Sequence, residues 1–434
     1  MISHLPHDNC WVIHLSEANK MTDQDNANLN AVYVAIDVAK NKHDILIRYT
    51  NGKQHSFKIY NTMAGYQKLI DAAKKYSNEM IICGFEPTAD YHRNLAYWLS
   101  TLGCEMRLIS SLSCARAREM LYKTWDKNDR KDTHVIMYLL ENQHSQPFYD
   151  PLLENIMDTQ EICNTYQQVS LARSRCWHSL LNHYLTLYFP EIERFLHNSR
   201  SEWFCRFLLK FPTPNSITRY RQDTFIKRAW DVVGRKVSKQ GFLENLYELA
   251  GNSIALPVEI NSPAVETFKL QIARYMDLTK HRSQLEAQAD QLLSSRKDYQ
   301  LLRSLPGIGP VIATIILAES GDLMRFKHYR QYLNFCGFNL CSKQSGKHVG
   351  KYCLSKRGNA RLRYAYWLAA NSAIRSTENS FRNKYTRYIK QDPENADLKR
   401  KARTAVAIKM ARVAHAIVKK GQHYQGYYEY RCET

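Results

Sequence analysis

The stretch YVAIDVAK, Tyr33 to Lys40, decides how this chain is read. With Val32 before it, apolar residues alternate at Val32, Val34, Ile36 and Val38 and are rich in β-branches, which predicts a strand buried in a sheet. The run presents one carboxylate, Asp37. An isolated carboxylate on a central strand needs a partner or a metal to offset its desolvation, so companion acids are sought downstream. Glu86, Asp129 and Asp132 answer that search.

Working outward, HDILIRYT and HSFKIYN read as two further strands with the turn residues Asn51 and Gly52 between them. A helix over Met63 to Tyr76 leads into EMIICGFE, an apolar strand ending in Glu86 and closed by Pro87. A helix from Tyr91 to Leu102, a strand from Met106 to Ile109 and helical sequence from Leu112 complete a mixed-sheet α/β layout for residues 31–150. Beyond Asp150 the strand signals stop. Residues 151–300 read as helical, and Phe268, Ile272, Tyr275, Leu278, Leu285 and Leu292 space out a long amphipathic helix suited either to a coiled-coil seam or to packing within its own domain. Residues 301–425 open with LRSLPGIGPVIATIILAE, where Gly307 and Gly309 separate helical stretches in a tight turn. Backbone N–H groups at such a helix start are free to bind phosphate, as in the helix-hairpin-helix of non-specific DNA binders, which this segment resembles. Residues 1–30 are polar and read as a mobile extension.

With 434 residues, 44% hydrophobic and 12% aromatic, the chain can bury real cores and is not globally disordered. Its 61 basic and 41 acidic residues leave a net charge of +20, which points to a polyanionic partner, most simply nucleic acid. Cys341 to Lys420 holds 20 Lys and Arg against 4 Asp and Glu, so this fifth of the chain carries most of the excess. Eleven cysteines lie scattered without a CxxC pair, which argues against a zinc site and for reduced thiols in a cytoplasm. No apolar window is long enough to span a membrane.

Asp37 and Glu86 end strands expected side by side and parallel, while Asp129 and Asp132, three apart, share one helix face. Four converging carboxylates raise one another's pKa, whereas two divalent cations hold all four ionised. Hard oxygen ligands select Mg²⁺ or Mn²⁺, and paired ions about 4 Å apart serve displacement at a phosphodiester. Taken singly, each acid has a simpler reading, and Asp132 in KNDRKD also fits a charge cluster with Arg130 or Lys131.

YVAIDVAK, GFEPT and KNDRKD, followed in order by LPGIGP and QSGK…LSKRGNARLR, resemble the DEDD transposases of insertion sequences, a family that includes the Piv-type DNA invertases. The resemblance implies a RuvC-like domain of RNase H fold, a helical coiled-coil insertion and a C-terminal transposase domain. It implies a DNA recombinase using two Mg²⁺ or Mn²⁺ ions at Asp37, Glu86, Asp129 and Asp132, and a serine nucleophile in the segment QSGK, here Ser345. It further implies DNA donor and target, a bridge RNA, a tetramer, and a bacterial cytoplasm at the nucleoid. Asn128, Thr133 and Leu340 depart from residues common in the family, without removing a proposed ligand. Lys347, Lys351, Lys356, Arg357, Arg361 and Arg363 surround the serine and are expected on phosphates. Tyr364, Tyr366 and Trp367 read as core rather than as stacking platforms, and Arg116 and Arg118 as an exposed or RNA-holding helix face. Two alternatives stay open: a RuvC-like junction resolvase that needs no serine, and a non-catalytic nucleic-acid binder.

Overall fold

The computed structural model describes residues 31–76, 79–123, 129–195, 202–233, 238–342, 344–345, 348–349, 352–377 and 379–426; the side chains at 129, 130, 344, 345, 348 and 349 lie outside the description. The chain divides into two compact units between Asn155 and Ile156, so the regions expected at 151–300 and 301–425 share the second unit. The N-terminal stretch expected as a mobile extension lies outside the described residues.

The first unit is built on a six-stranded sheet of β1 (Val32–Asp37), β2 (Lys42–Arg48), β3 (Gln54–Tyr60), β4 (Ile81–Phe85), β5 (Glu105–Leu108) and β6 (Gln146–Pro147), in the order β3-β2-β1-β4-β5-β6. β1, β2 and β3 form an antiparallel meander; β1, β4 and β5 run parallel; β6 closes the far edge antiparallel. Helices α1 (Met63–Ala73) and α2 (Tyr91–Thr101) cover one face, and α3 (Ser111–Tyr122) and α4 (Asp129–Glu141) the other. Alternation along β1 explains why both faces are needed. Val32, Val34 and Ile36 pack with Leu69, Leu95 and Leu99, while Ala35 packs with Cys114, Val135 and Leu139. β4 is buried at every position, as a parallel strand covered on both sides must be. Full burial of Ile36 or Phe85 contributes about 1.5–3 kcal/mol each. This is the mixed α/β sheet domain expected, consistent with an RNase H-like fold.

The second unit is almost entirely helical. α5 (Met157–Ser179) lies along α6 (Pro263–Leu293), joined by Cys176 and Trp177 packing with Phe268, Ile272 and Tyr275. Arg173 fastens the pair, donating to Thr279 Oγ1 at 2.9 Å and to the Tyr275 hydroxyl at 2.8 Å. The apolar stripe of α6 is thus taken up within its own unit through Tyr275. Toward its end the stripe shifts register: Ala289 and Leu293 are buried, and Leu292 is 41% exposed.

Beyond α6, helices α7 (Lys297–Arg303), α8 (Pro310–Ser320), α9 (Ala360–Arg375), α10 (Ser380–Ile389) and α11 (Ala396–Lys420) enclose a core that includes Leu302, Leu317, Tyr366 and Val406. Between α8 and α9 the chain forms short strands β7 (Leu340–Cys341), β8 (Gln344–Ser345), β9 (His348–Val349) and β10 (Cys353–Leu354). β7 pairs antiparallel with β10, and β8 with β9, in two ladders along one excursion. Among the described residues no helix is long and apolar enough to cross a membrane.

Candidate active site

Parallel pairing fixes the first two acids. Ile36 stands opposite Phe85 in the β1–β4 register, so Asp37 and Glu86 follow at the same ends of neighbouring strands, about 4.8 Å apart in the pairing direction. By strand alternation Asp37 lies on the face of Ala35, and Glu86 on that of Gly84. This is the face that α3 and α4 cover. The cover is close: a Cβ on Gly84 would stand 3.0 Å from both terminal methyls of Leu140, so only glycine lets α4 press onto β4 without displacing that leucine.

α4 brings Asp132 to this face. The residue is only 3% exposed, and its charge is answered by Arg118 from α3, whose side chain is 12% exposed. Arg118 Nε donates to Asp132 Oδ1 at 2.9 Å and its terminal nitrogen reaches the same oxygen at 2.6 Å. The second oxygen, Oδ2, is buried with no hydrogen-bond partner among the described residues. Cys114, one turn before Arg118, links the acids. Burial pushes its thiol pKa up, and so do the charge of Glu86, to which the thiol hydrogen-bonds, and the charge of Asp132, against the pull of Arg118. Glu86, Cys114, Arg118 and Asp132 therefore form one electrostatic cluster.

The structure thus gathers Asp37, Glu86 and Asp132 at one end of one sheet face. Asp129 opens α4 one turn earlier, and its side chain lies outside the described residues. Among the described residues no three His, Cys, Asp or Glu side chains converge closely enough to hold a metal as they stand. Sequence reasoning missed three members of this neighbourhood. Arg118, considered from sequence as part of an exposed or RNA-holding helix face, is nearly buried and is an ion-pair partner of Asp132. Cys114 gave no signal beyond an apolar position. Asp44 stands opposite Asp37 across β1–β2 and pairs with Lys58 at 3.0 Å; its cue was the polar residue inside HDILIRYT.

Removing one partner of a buried ion pair leaves the other charge stranded. Arg118→Met is expected to destabilise the first unit by about 3 kcal/mol, or roughly 10 °C in melting temperature by calorimetry. Added Mn²⁺ should recover part of that loss, because it restores positive charge beside Asp132.

In the second unit Ser345 occupies β8, with its Cα paired to that of His348; its side chain lies outside the described residues, as do Lys347 and Lys351. Lys356 and Arg357 are exposed at the close of the excursion, Lys356 in the left-handed region at φ 56°. Arg363 turns back on the same segment, donating to the carbonyls of Cys336 at 3.2 Å and Lys356 at 3.3 Å. Arg361 pairs with Glu319 at 2.9 Å and donates to Asn164 Oδ1 at 2.5 Å. Arg361 and Arg363 therefore brace the segment from inside, while Lys356 and Arg357 face solvent.

Gly307, at φ 85°, lies between α7 and α8 with its back to α9: a Cβ there would stand 2.3 Å from the Ala369 carbonyl oxygen and 2.7 Å from Ala373 N. Gly309 caps the start of α8 with no neighbour within 4 Å of a Cβ. The turn between two helices is present, and Gly307 has a packing reason of its own. Of the three aromatics read as core, only Tyr366 is buried; Tyr364 is 59% and Trp367 39% exposed. Their spacing of three along α9 was right for one face, and that face is the open one.

Cys341 and Cys353 oppose each other across β7–β10 with their Sγ atoms 3.6 Å apart, both exposed. A small-molecule disulfide should join them, releasing two equivalents of reduced thiol. Mass spectrometry after digestion then recovers a 341–353 cross-linked peptide 2 Da lighter than its reduced parts.

Comparison with known proteins covers both units. Residues 34–190 match a transposase model, the DEDD transposase of the IS110 group, and residues 299–386 match the transposase IS116/IS110/IS902 family. The chain is 22% identical over 350 residues to the insertion element IS116 uncharacterized 44.8 kDa protein of Streptomyces clavuligerus, covering 79% of this chain and 84% of that one. It is 28% identical over 140 residues to the transposase for insertion sequence element IS1111A of Coxiella burnetii, covering 32% of this chain and 38% of that one. A third relative, the insertion element IS110 uncharacterized 43.6 kDa protein of Streptomyces coelicolor, is 22% identical over 276 residues, 62% of this chain and 65% of its own length. The four acids fall in the first matched region and Ser345 in the second. Both matched regions, taken in chain order, are thus similar to IS110-type insertion-sequence transposases.

Proposed function

We propose that the chain is a DNA recombinase that moves its own insertion sequence, with a metal site at Asp37, Glu86, Asp129 and Asp132 and with Ser345 as nucleophile. The observation that carries the metal reading is the buried Oδ2 of Asp132, without a hydrogen-bond partner among the described residues and beside Glu86, on the sheet face that also bears Asp37. A buried anionic oxygen without a donor is costly, and a hard cation is the partner its chemistry selects. Two ions of Mg²⁺ or Mn²⁺, when bound, supply charge stabilisation for phosphodiester displacement. Arg118 orients Asp132 by holding Oδ1, leaving Oδ2 for the ion.

The Ser345 hydroxyl attacks phosphorus, forming the new O–P bond as the bond to the departing sugar oxygen breaks, and its proton ends on that oxygen, which leaves as a hydroxyl. The phosphoserine link conserves the phosphodiester for rejoining. Support for a polyanionic partner comes also from α10 and α11. Lys384 and Lys409 are half-buried near Arg387 and Arg412; burial and then neighbouring cations push both lysine pKa values down. Such crowding of like charge is relieved by a phosphate backbone. A bridge RNA and a tetramer are part of the same reading.

The test is excision. A plasmid carrying the reading frame with its natural flanks yields, on expression, a joined junction detectable by amplification across it. No junction, with folded protein present, overturns the recombinase reading.

A further inference from the structure

Tyr364 and Trp367 are the least expected residues on α9. They point outward from a helix that otherwise buries Leu362, Ala365, Tyr366, Ala369 and Ala370. Their rings are nearly parallel, 13° between planes with centroids 6.0 Å apart, and both are open to solvent. The pair forms one side of an open groove whose other walls include Phe338, Leu354, Thr404 and Ala407, with Arg363 also lining it. Among the described residues, no Asp or Glu lines this groove. The exposed cations Lys356 and Arg357 lie just upstream on the chain, and α11, which supplies Thr404 and Ala407, carries Lys401 and Arg403 beside them.

Solvent-exposed stacked aromatics with a guanidinium on the same wall suit a flat π-face attached to an anion. Every nucleobase has such a face, and each base stacked on an aromatic side chain gains about 1–3 kcal/mol. Base pairs inside a duplex keep their faces covered by their neighbours, so the surface selects unpaired nucleotides. A second protein copy would also cover apolar rings, but the surrounding positive charge disfavours self-association and favours a phosphate-bearing partner.

Resting on the reading of the chain as a DNA-handling enzyme, we propose that Tyr364 and Trp367 form a stacking platform for an unpaired nucleobase, with the exposed Lys356 and Arg357 beside its backbone phosphates. The unpaired base comes from a melted DNA strand or from an RNA loop.

The test uses the full chain with fluorescent dT12, rU12 and a 12-base-pair duplex. Trp367→Ala and Tyr364→Ala should each weaken binding to a single strand about tenfold or more while leaving duplex affinity within twofold, and Trp367→Phe should restore most of the loss. Preference for dT12 or for rU12 tells which strand supplies the base. Equal losses on duplex and single strand, unchanged single-strand affinity, or a change of oligomeric state in place of a binding defect would each overturn the platform. Excision by wild-type protein together with a null result here sinks the platform alone; no binding to any of the three probes sinks the recombinase reading.

Discussion

Glu86→Gln removes strand cleavage while leaving DNA binding within about threefold. We expect the cleavage rate on the element's own ends to fall by at least a thousandfold, about 4 kcal/mol of transition-state stabilisation. Glu86 is the cleanest of the acids to change. It follows a strand buried at every position, its hydrogen bond to Cys114 is retained by glutamine as an acceptor, and the Arg118–Asp132 ion pair is untouched. Asp132→Asn should abolish cleavage to a similar degree, but it also weakens a charge-assisted contact to a nearly buried arginine. A melting temperature accompanies the rate measurement for that variant. Cleavage kept within tenfold in Glu86→Gln would remove Glu86 from the metal set.

Ser345→Ala separates the recombinase from a resolvase sharing the same sheet. If the serine is the nucleophile, wild-type protein incubated with end-labelled substrate leaves a labelled band of protein size on a denaturing gel, and the alanine variant leaves none. The expected loss is complete to the detection limit, because no other hydroxyl replaces the covalent bond. Ser342 and Ser355 are the nearby competitors, and Ser355 is held at the foot of the excursion by its amide donating to the Asn339 carbonyl at 2.8 Å. A resolvase using water cuts equally well without Ser345 and forms no adduct with either protein. That result would leave the metal site standing and discard the serine.

The strands that matter were legible because burial on both faces writes itself as β-branched alternation and as continuous apolar runs. β1 and β4 were found that way, and their parallel pairing carried Asp37 and Glu86 to one edge. β6 was missed: it is two residues long, and one is Pro147, which belongs on a sheet edge and carries no periodicity. The helix expected to reach Tyr76 ends at Ala73, where the chain turns with no cap signal to mark it.

Around the acids, sequence spacing showed which residues share a helix face but not what that face meets. Arg118 looked exposed and is nearly buried against Asp132. Tyr364 and Trp367 looked like core and are open, because the side of α9 that packs is the one carrying Leu362, Ala369 and Ala373. Arg361 and Arg363 carried a charge that suited phosphate, and their donors turn inward onto Glu319, Asn164 and the carbonyls of Cys336 and Lys356. Long side chains choose partners in three dimensions, and no local pattern encodes the choice.

Mn²⁺ titration of the metal-free protein, followed by isothermal calorimetry or by the loss of the free-ion resonance signal, bears most directly on the acid cluster. Saturable binding to wild-type chain, weakened at least tenfold in both Glu86→Gln and Asp132→Asn with each variant still folded, is the outcome we predict. Equal affinity in all three proteins would contradict it, for then neither Oδ2 of Asp132 nor the carboxylate at the end of β4 receives the ion.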